Sequence, residues 1–334
     1  MSTVLPLASA VLSLVFAALV FDQWVQRRRP FQLVWSLGLL CYAVGAGTEF
    51  LGAQFGWNSA LYRAWYLFGA LLVAAYLGAG TVYLLSRTSF GYLAAFAIFV
   101  GGFFAQLSQL RLAKEGLPAP QGAVDLVIEV TTVAAIAIVV VTASQRRFAA
   151  HAVMALLVGA TLIAAILVVT APISGAGFAL DPVTRAPIGA AMPGYLRIMS
   201  GPFNIAGAFC LVFGALYSVY VYMPKRKILG ARFGVAAVAV NLVASLPMAT
   251  VALFRGRLNS RVPATLLIAL GGFIPSLTSG LNRFGVTWAF FLGEFLGVTL
   301  IFAGFLVSEE VFRNLRVPAG PMLWQRTGRG AETG

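Results

Sequence analysis

GAGTEFLGAQFGWNSALYRAWYLFG, residues Gly45 to Gly69, decides the fold. It reads as the end of one membrane-crossing helix, a tight loop, and the start of the next. Glu49 sits near the end of the first helix and Arg63 near the start of the second. Charged groups inside apolar segments are costly, and they are tolerated where they pair or face a cavity. The two charges therefore have two readings. Glu49 and Arg63 form a structural ion pair that clamps the hairpin, or they form one wall of a solute or ion site.

Outward from this stretch the chain keeps the same character. Of 334 residues, 60% are hydrophobic and 10% charged, with a mean hydropathy of +0.91. Soluble domains carry about 25% charged residues, so a water-exposed surface of this size is excluded. Apolar runs of about 20 residues recur, the length a helix needs to cross the hydrocarbon core. Alternating ten-residue segments are absent, which argues against a membrane β-barrel. The expected fold is an all-α polytopic bundle spanning residues 1–317, followed by a short polar, Gly-rich tail, 318–334, expected to be disordered.

The net charge of +13 is not a nucleic-acid footprint. The basic residues fall in short clusters between apolar runs, as the positive-inside rule predicts. Arg27, Arg28 and Arg29 come after the first run, and the start MSTVLPLASA has no positive region before it. A retained first span with its N-terminus outside is expected, rather than a cleaved signal peptide. Further inner clusters are Arg146-Arg147 and Lys225-Arg226-Lys227. A bacterial-type cytoplasmic membrane is the expected location, with the C-terminus inside.

The span count turns on 233–254. This segment is long and apolar enough to cross, but it holds Asn241 and Pro247 and is succeeded by Arg255, Arg257 and Arg261. If it does not cross, most basic residues lie inside. If it crosses, they divide about evenly between the two sides. The charge bias therefore favours about nine crossings, with 233–254 interfacial or re-entrant, over ten. Trp24 and Trp35 at the inner boundary, and Trp57 and Trp65 at the outer, are expected to form aromatic belts.

In the nine-span arrangement Glu49, Arg63, Asp125, Glu129, Arg197 and Glu294 map to the outer half, where together they would line an outward-facing polar vestibule. Asp125 and Glu129, spaced i,i+4, share a helical face. They form either a proton-binding pair or two hydrated surface acids. Glu294 lies between Gly293 and Gly297, a spacing that lets helices approach closely. A mid-span acid marks a proton or cation path, or simply bonds a neighbouring helix. Arg197 precedes Ser200-Gly201-Pro202-Phe203-Asn204, read either as a broken helix in which Asn204 satisfies freed backbone groups or as an ordinary proline kink. Gly271 to Ser276, with Pro275, invites the same two readings.

Several chemistries are unsupported. The single histidine, His151, excludes bis-histidine haem and HExxH zinc sites within one chain. Cys41 and Cys210 read as small buried hydrophobes, with no redox or metal motif. No phosphate-binding loop and no nucleophile elbow occur. No cofactor and no metal are expected, and no catalytic motif marks an enzyme. The leading expectation is a small-solute or ion transporter with Glu294 as the coupling acid. A membrane-embedded sensing module with a separate cytoplasmic partner is the alternative, and a lipid-modifying enzyme comes third. The lipid bilayer is the expected partner, with anionic lipid along the basic segment 225–261.

Overall fold

A computed structural model describes residues 3–116, 118–173, 180, 187–224, 226–230, 234–254, 261–283 and 289–307. The tail 318–334, Lys225, Arg255 and Arg257 lie outside these residues. Among those described the fold is all-helical, without strands. Nine of the described helices are long and apolar enough to cross a membrane. The protein is a polytopic helical bundle.

The first hairpin consists of α1 (Val4–Arg27) and α2 (Pro30–Phe55). Its turn uses two local devices. Arg28 takes the left-handed conformation at φ 53°, and Pro30 opens α2 where a missing N–H costs nothing. α2 ends at Gly56, φ 89°, a backbone angle that disfavours any side chain. Asn58 then caps α3 (Ser59–Ala64) by accepting from the Leu61 N–H at 2.9 Å. The quoted stretch is therefore a helical hairpin, as its sequence predicts.

The second arm of that hairpin is not one continuous α-helix. α3 passes into a π-helical segment, Trp65–Leu72, and then into α4 (Val73–Leu84). Nothing in the hydropathy pattern announces this segment. Gly45 and Gly69 meet backbone to backbone beside it: a Cβ on Gly45 would lie 2.6 Å from the Gly69 Cα. Only glycine at position 45 lets α2 and the π segment come so close, and a Cβ at Gly69 would be tight at 3.2 Å from the Gly45 Cα.

The remaining helices are α5 (Phe90–Lys114), α6 (Gln121–Ser144), α7 (Arg146–Thr170), α8 (Gly194–Tyr222), α9 (Gly234–Phe254), α10 (Arg261–Arg283) and α11 (Ala289–Val307). α2 and the α3–α4 arm are central, with 50% and 56% of their most apolar stretches buried, whereas α6 and α7 are peripheral at 17% each. α8 and α10 both run unbroken through their prolines, Pro202 and Pro275. Gly271 and Pro275 of α10 pack against Gly297 of α11, and Thr278 packs against Gly293. The small-residue spacing in α11 thus makes a close helix contact, as its sequence suggests.

The ends of the bundle differ in charge. Trp35 of α2 bonds the Leu77 carbonyl of α4 and covers Gly80, so the start of α2 and the end of α4 lie at the same end. Gly214 of α8 touches Thr81, Leu85 and Phe90, which brings the end of α8 there too. This basic end collects Arg27, Arg28, Arg29, Arg87, Arg146, Arg147, Arg226 and Lys227. The far end holds Glu49, Trp57, Arg63, Arg111, Glu115 and Arg197.

α9 keeps its contacts at the basic end. Asn241, in mid-helix, accepts from the backbone N–H groups of Ile228 and Leu229 at 2.7 and 2.9 Å and donates to the Leu229 carbonyl at 2.9 Å. Ser245 accepts from the Arg226 N–H at 2.8 Å. Val262, at the start of α10, packs with Ala249 of α9 and with Val219 and Met223 at the end of α8. Farther along, Gly272 of α10 abuts Leu211 of α8. α10 therefore runs antiparallel to α8, starting from the end where α8 stops.

The aromatic belts differ from expectation. Trp35 and Trp65 spend their indole N–H groups inside the protein, on Leu77 and Glu49. Trp24 keeps a peripheral place, with the Arg28 guanidinium 4.8 Å over its ring.

Candidate functional site

Glu49 is 3% exposed, on a face of α2 turned into the bundle. Trp65 Nε1 donates to its Oε1 at 2.9 Å. Its Oε2 has no hydrogen-bond donor among the described residues. The carboxyl it faces belongs to Glu294, half-buried on α11. Tyr42, two turns before Glu49 on α2, donates its hydroxyl to the Glu294 backbone carbonyl at 2.7 Å and stands within electrostatic reach of both acids. The site therefore joins α2, the π segment and α11 through two carboxyls, an indole and a phenol.

The helix directions explain the meeting. Glu49 is near the far end of α2. α10 climbs from the basic end, so α11 starts at the far end and carries Glu294 in its second turn. Leu5 of α1 packs against Phe290 and Phe291, which places the N-termini of α1 and α11 together.

An aromatic layer covers Glu49 on the far side. The Trp57 ring lies against Gly52, where a Cβ would sit 2.2 Å from it. Trp57 meets Tyr62 and Trp65 edge-on at centroid distances of 6.0 and 6.3 Å, and Trp65 meets Tyr66 at 5.9 Å. Beyond the rings, Tyr62 donates its hydroxyl to the Ile188 carbonyl. Ala191 and Met192 bury themselves in the same cluster. Glu49 is thus closed off by two layers, first the rings and then the 187–192 segment.

The other residues singled out in the sequence do not converge here. Arg63 does not pair with Glu49: its guanidinium donates to the Val168 and Ala171 carbonyls at the end of α7, the latter at 2.8 Å. Unsatisfied carbonyls and the negative end of the helix dipole make that terminus a natural guanidinium site. Arg197 pairs with Glu115 at 2.8 Å, and Glu115 also meets Arg111 at 3.3 Å. Asp125 and Glu129 lie on peripheral α6, and Asp125 accepts from Gln121 at 2.9 Å. The expected six-charge vestibule is accordingly a two-acid core with separate satellites. Asn204 does not serve the backbone of its own helix. It crosses from α8 to donate to the Ala70 carbonyl of the π segment at 2.7 Å.

Cys41 and Cys210 are buried free thiols. Among the described residues no three His, Cys, Asp or Glu side chains come together as a metal site. Tyr42 and the π segment escaped the sequence reading, and so did the role of Trp65, although that indole lies in the same quoted stretch as Glu49.

The fold and site define a polytopic all-α membrane protein in which a buried carboxyl, Glu49, faces a half-buried one, Glu294, near one end. No protein-family model, curated protein or solved structure matches the chain.

Proposed function

We propose that the protein is a proton-coupled transporter of a small solute or ion, and that Glu49 and Glu294 together carry the coupling proton. One observation supports this reading: the two carboxyls face each other at membrane depth, with no basic side chain between them among the described residues. Two ionised carboxylates so placed repel strongly in a poorly solvated setting. A proton shared between them removes that repulsion and satisfies Glu49 Oε2. Ionisable groups of this kind at membrane depth mark proton relays. The half-buried Glu294 is the member that exchanges the proton, and the closed-off Glu49 is the member that holds it.

The orientation belongs to the same reading. The positive-inside rule makes the basic end cytoplasmic, with the N-terminus outside. Nine crossings fit the α9 contacts, because α8 ends and α10 begins at one end. α9 then lies at the cytoplasmic side, its Asn241 and Ser245 turned to the 226–230 backbone. Cysteine labelling at Ser260, in a Cys41→Ala, Cys210→Ala background, tests this. Reaction from the cytoplasmic side alone is expected, and reaction from outside would add a crossing.

The functional test uses proteoliposomes loaded with a pH-sensitive dye and challenged with amino acids, organic acids, sugars and alkali cations. The wild type is expected to move protons in response to one class. Glu294→Gln and Glu49→Gln are each expected to abolish that flux while remaining folded. Normal flux in either variant would overturn the reading.

A further inference from the structure

The α4–α5 and α6–α7 turns meet at the basic end. Gly91, in the first turn of α5, is pressed against Thr142 of α6 and Ala149 of α7. Between the turns is an open surface hollow of about 520 Å³ lined by Arg87, Gln145, Arg146, Arg147 and Phe148, all of them exposed. Among the described residues no carboxylate lines it. Three guanidinium groups around one hollow repel one another. Each also presents a planar fork of N–H donors that matches phosphate oxygens.

Two further features act at the same place. α7 begins at Arg146, and Gln145 supplies no side-chain cap, so the first N–H groups of a 25-residue helix add their positive field to that of the arginines. Phe148, on the cavity wall, is 57% exposed, and Val140 and Tyr92, within about a turn of the two loops, are 58% and 43% exposed. The hollow is therefore basic inside and adjoins apolar surface of the kind that faces acyl chains.

We propose that Arg87, Arg146 and Arg147 form a phosphate-binding site at the basic end of the bundle, fitted to the headgroup of an anionic phospholipid or to free phosphate. None of its lining residues belongs to the basic segment 225–261, and the proposal stands whether or not the carboxyl pair moves protons.

Binding to the purified full-length protein in neutral detergent tests this, with dioctanoyl phosphatidic acid and inorganic phosphate titrated separately by calorimetry. Saturable binding is expected in the wild type. It should weaken by about tenfold or more in an Arg87→Gln, Arg146→Gln, Arg147→Gln triple variant, the scale set by lost charge-assisted hydrogen bonds. An Arg27→Gln, Arg28→Gln, Arg29→Gln triple removes equal charge from the same end and should bind as the wild type does. Saturation by the lipid alone assigns a headgroup site, and saturation by both assigns a site for phosphate itself. Equal weakening in the two triples, or no saturable binding of either probe, would overturn the proposal. Should the first triple fail to fold, a photoactivatable phosphatidic acid in nanodiscs gives an independent answer on the wild type. Adducts on residues 145–148 support the site, and adducts confined to other segments contradict it.

Discussion

Trp65 Nε1 donates to Glu49 Oε1 at 2.9 Å, and it does so from the first residue of a π-helical segment. The two facts belong together. A π-turn takes in an extra residue, which rotates the rest of the helix by about 100° relative to an unbroken α-helix. The rotation sets which faces of α3 and α4 meet α2. π segments are often found at functional sites, and this one supplies the donor to the buried member of the carboxyl pair.

Trp65→Phe keeps the ring but removes the N–H. It leaves Glu49 Oε1 without its donor inside the bundle, so a loss of about 1–3 kcal/mol in stability is expected. Thermal or denaturant unfolding in detergent measures it. Unchanged stability would mean that the indole bond contributes nothing.

Asn204→Leu should cost less, about 0.5–1.5 kcal/mol, because it removes the side-chain hydrogen bond that α8 makes to the Ala70 carbonyl of the π segment. The loss should accompany a fall in whatever flux Glu49 supports, since Ala70 and Trp65 share one segment. Wild-type stability and flux in Asn204→Leu would detach Asn204 from the site.

Gly45→Ala and Gly69→Ala rank by geometry. A Cβ at Gly45 would stand 2.6 Å from the Gly69 Cα, and one at Gly69 would stand 3.2 Å from the Gly45 Cα. Gly45→Ala forces α2 away from the π segment, at about 1–3 kcal/mol for overpacking, whereas Gly69→Ala needs a shift of only a few tenths of an ångström and costs less. The reverse order in unfolding measurements would contradict the close backbone contact.

Asp125→Asn combined with Glu129→Gln should leave solute-driven proton flux at the wild-type level, because both side chains sit on peripheral α6, away from the carboxyl pair. Loss of flux in this double variant would return these acids to the pathway.

Much of the architecture is legible in the sequence, for reasons that are local. Apolar length marks the spans, and Arg28-Arg29-Pro30, Gly56 and Asn58 mark the turns. The Gly293–Gly297 spacing announces a close contact, and charge clustering identifies one end. The site is only half legible. Glu49 and Glu294 stand out because acids are rare in apolar runs, but their partnership depends on which way α11 runs, and that depends on where α9 lies. Arg63 misleads, since proximity in sequence suggests Glu49 while the carbonyls at the end of α7 are the acceptors its guanidinium meets. The π segment has no marker, because WYLFGALL suits an α-helix equally well. The bond that holds its Ala70 carbonyl comes from Asn204, a residue far along the chain.

The most direct test is infrared difference spectroscopy of the purified protein in lipid at neutral pH, comparing light and heavy water. A shared proton on the Glu49–Glu294 pair predicts a protonated-carboxyl stretch that shifts on isotope exchange and disappears in both Glu49→Gln and Glu294→Gln. No such band in the wild type, or a band that survives both substitutions, would contradict the account.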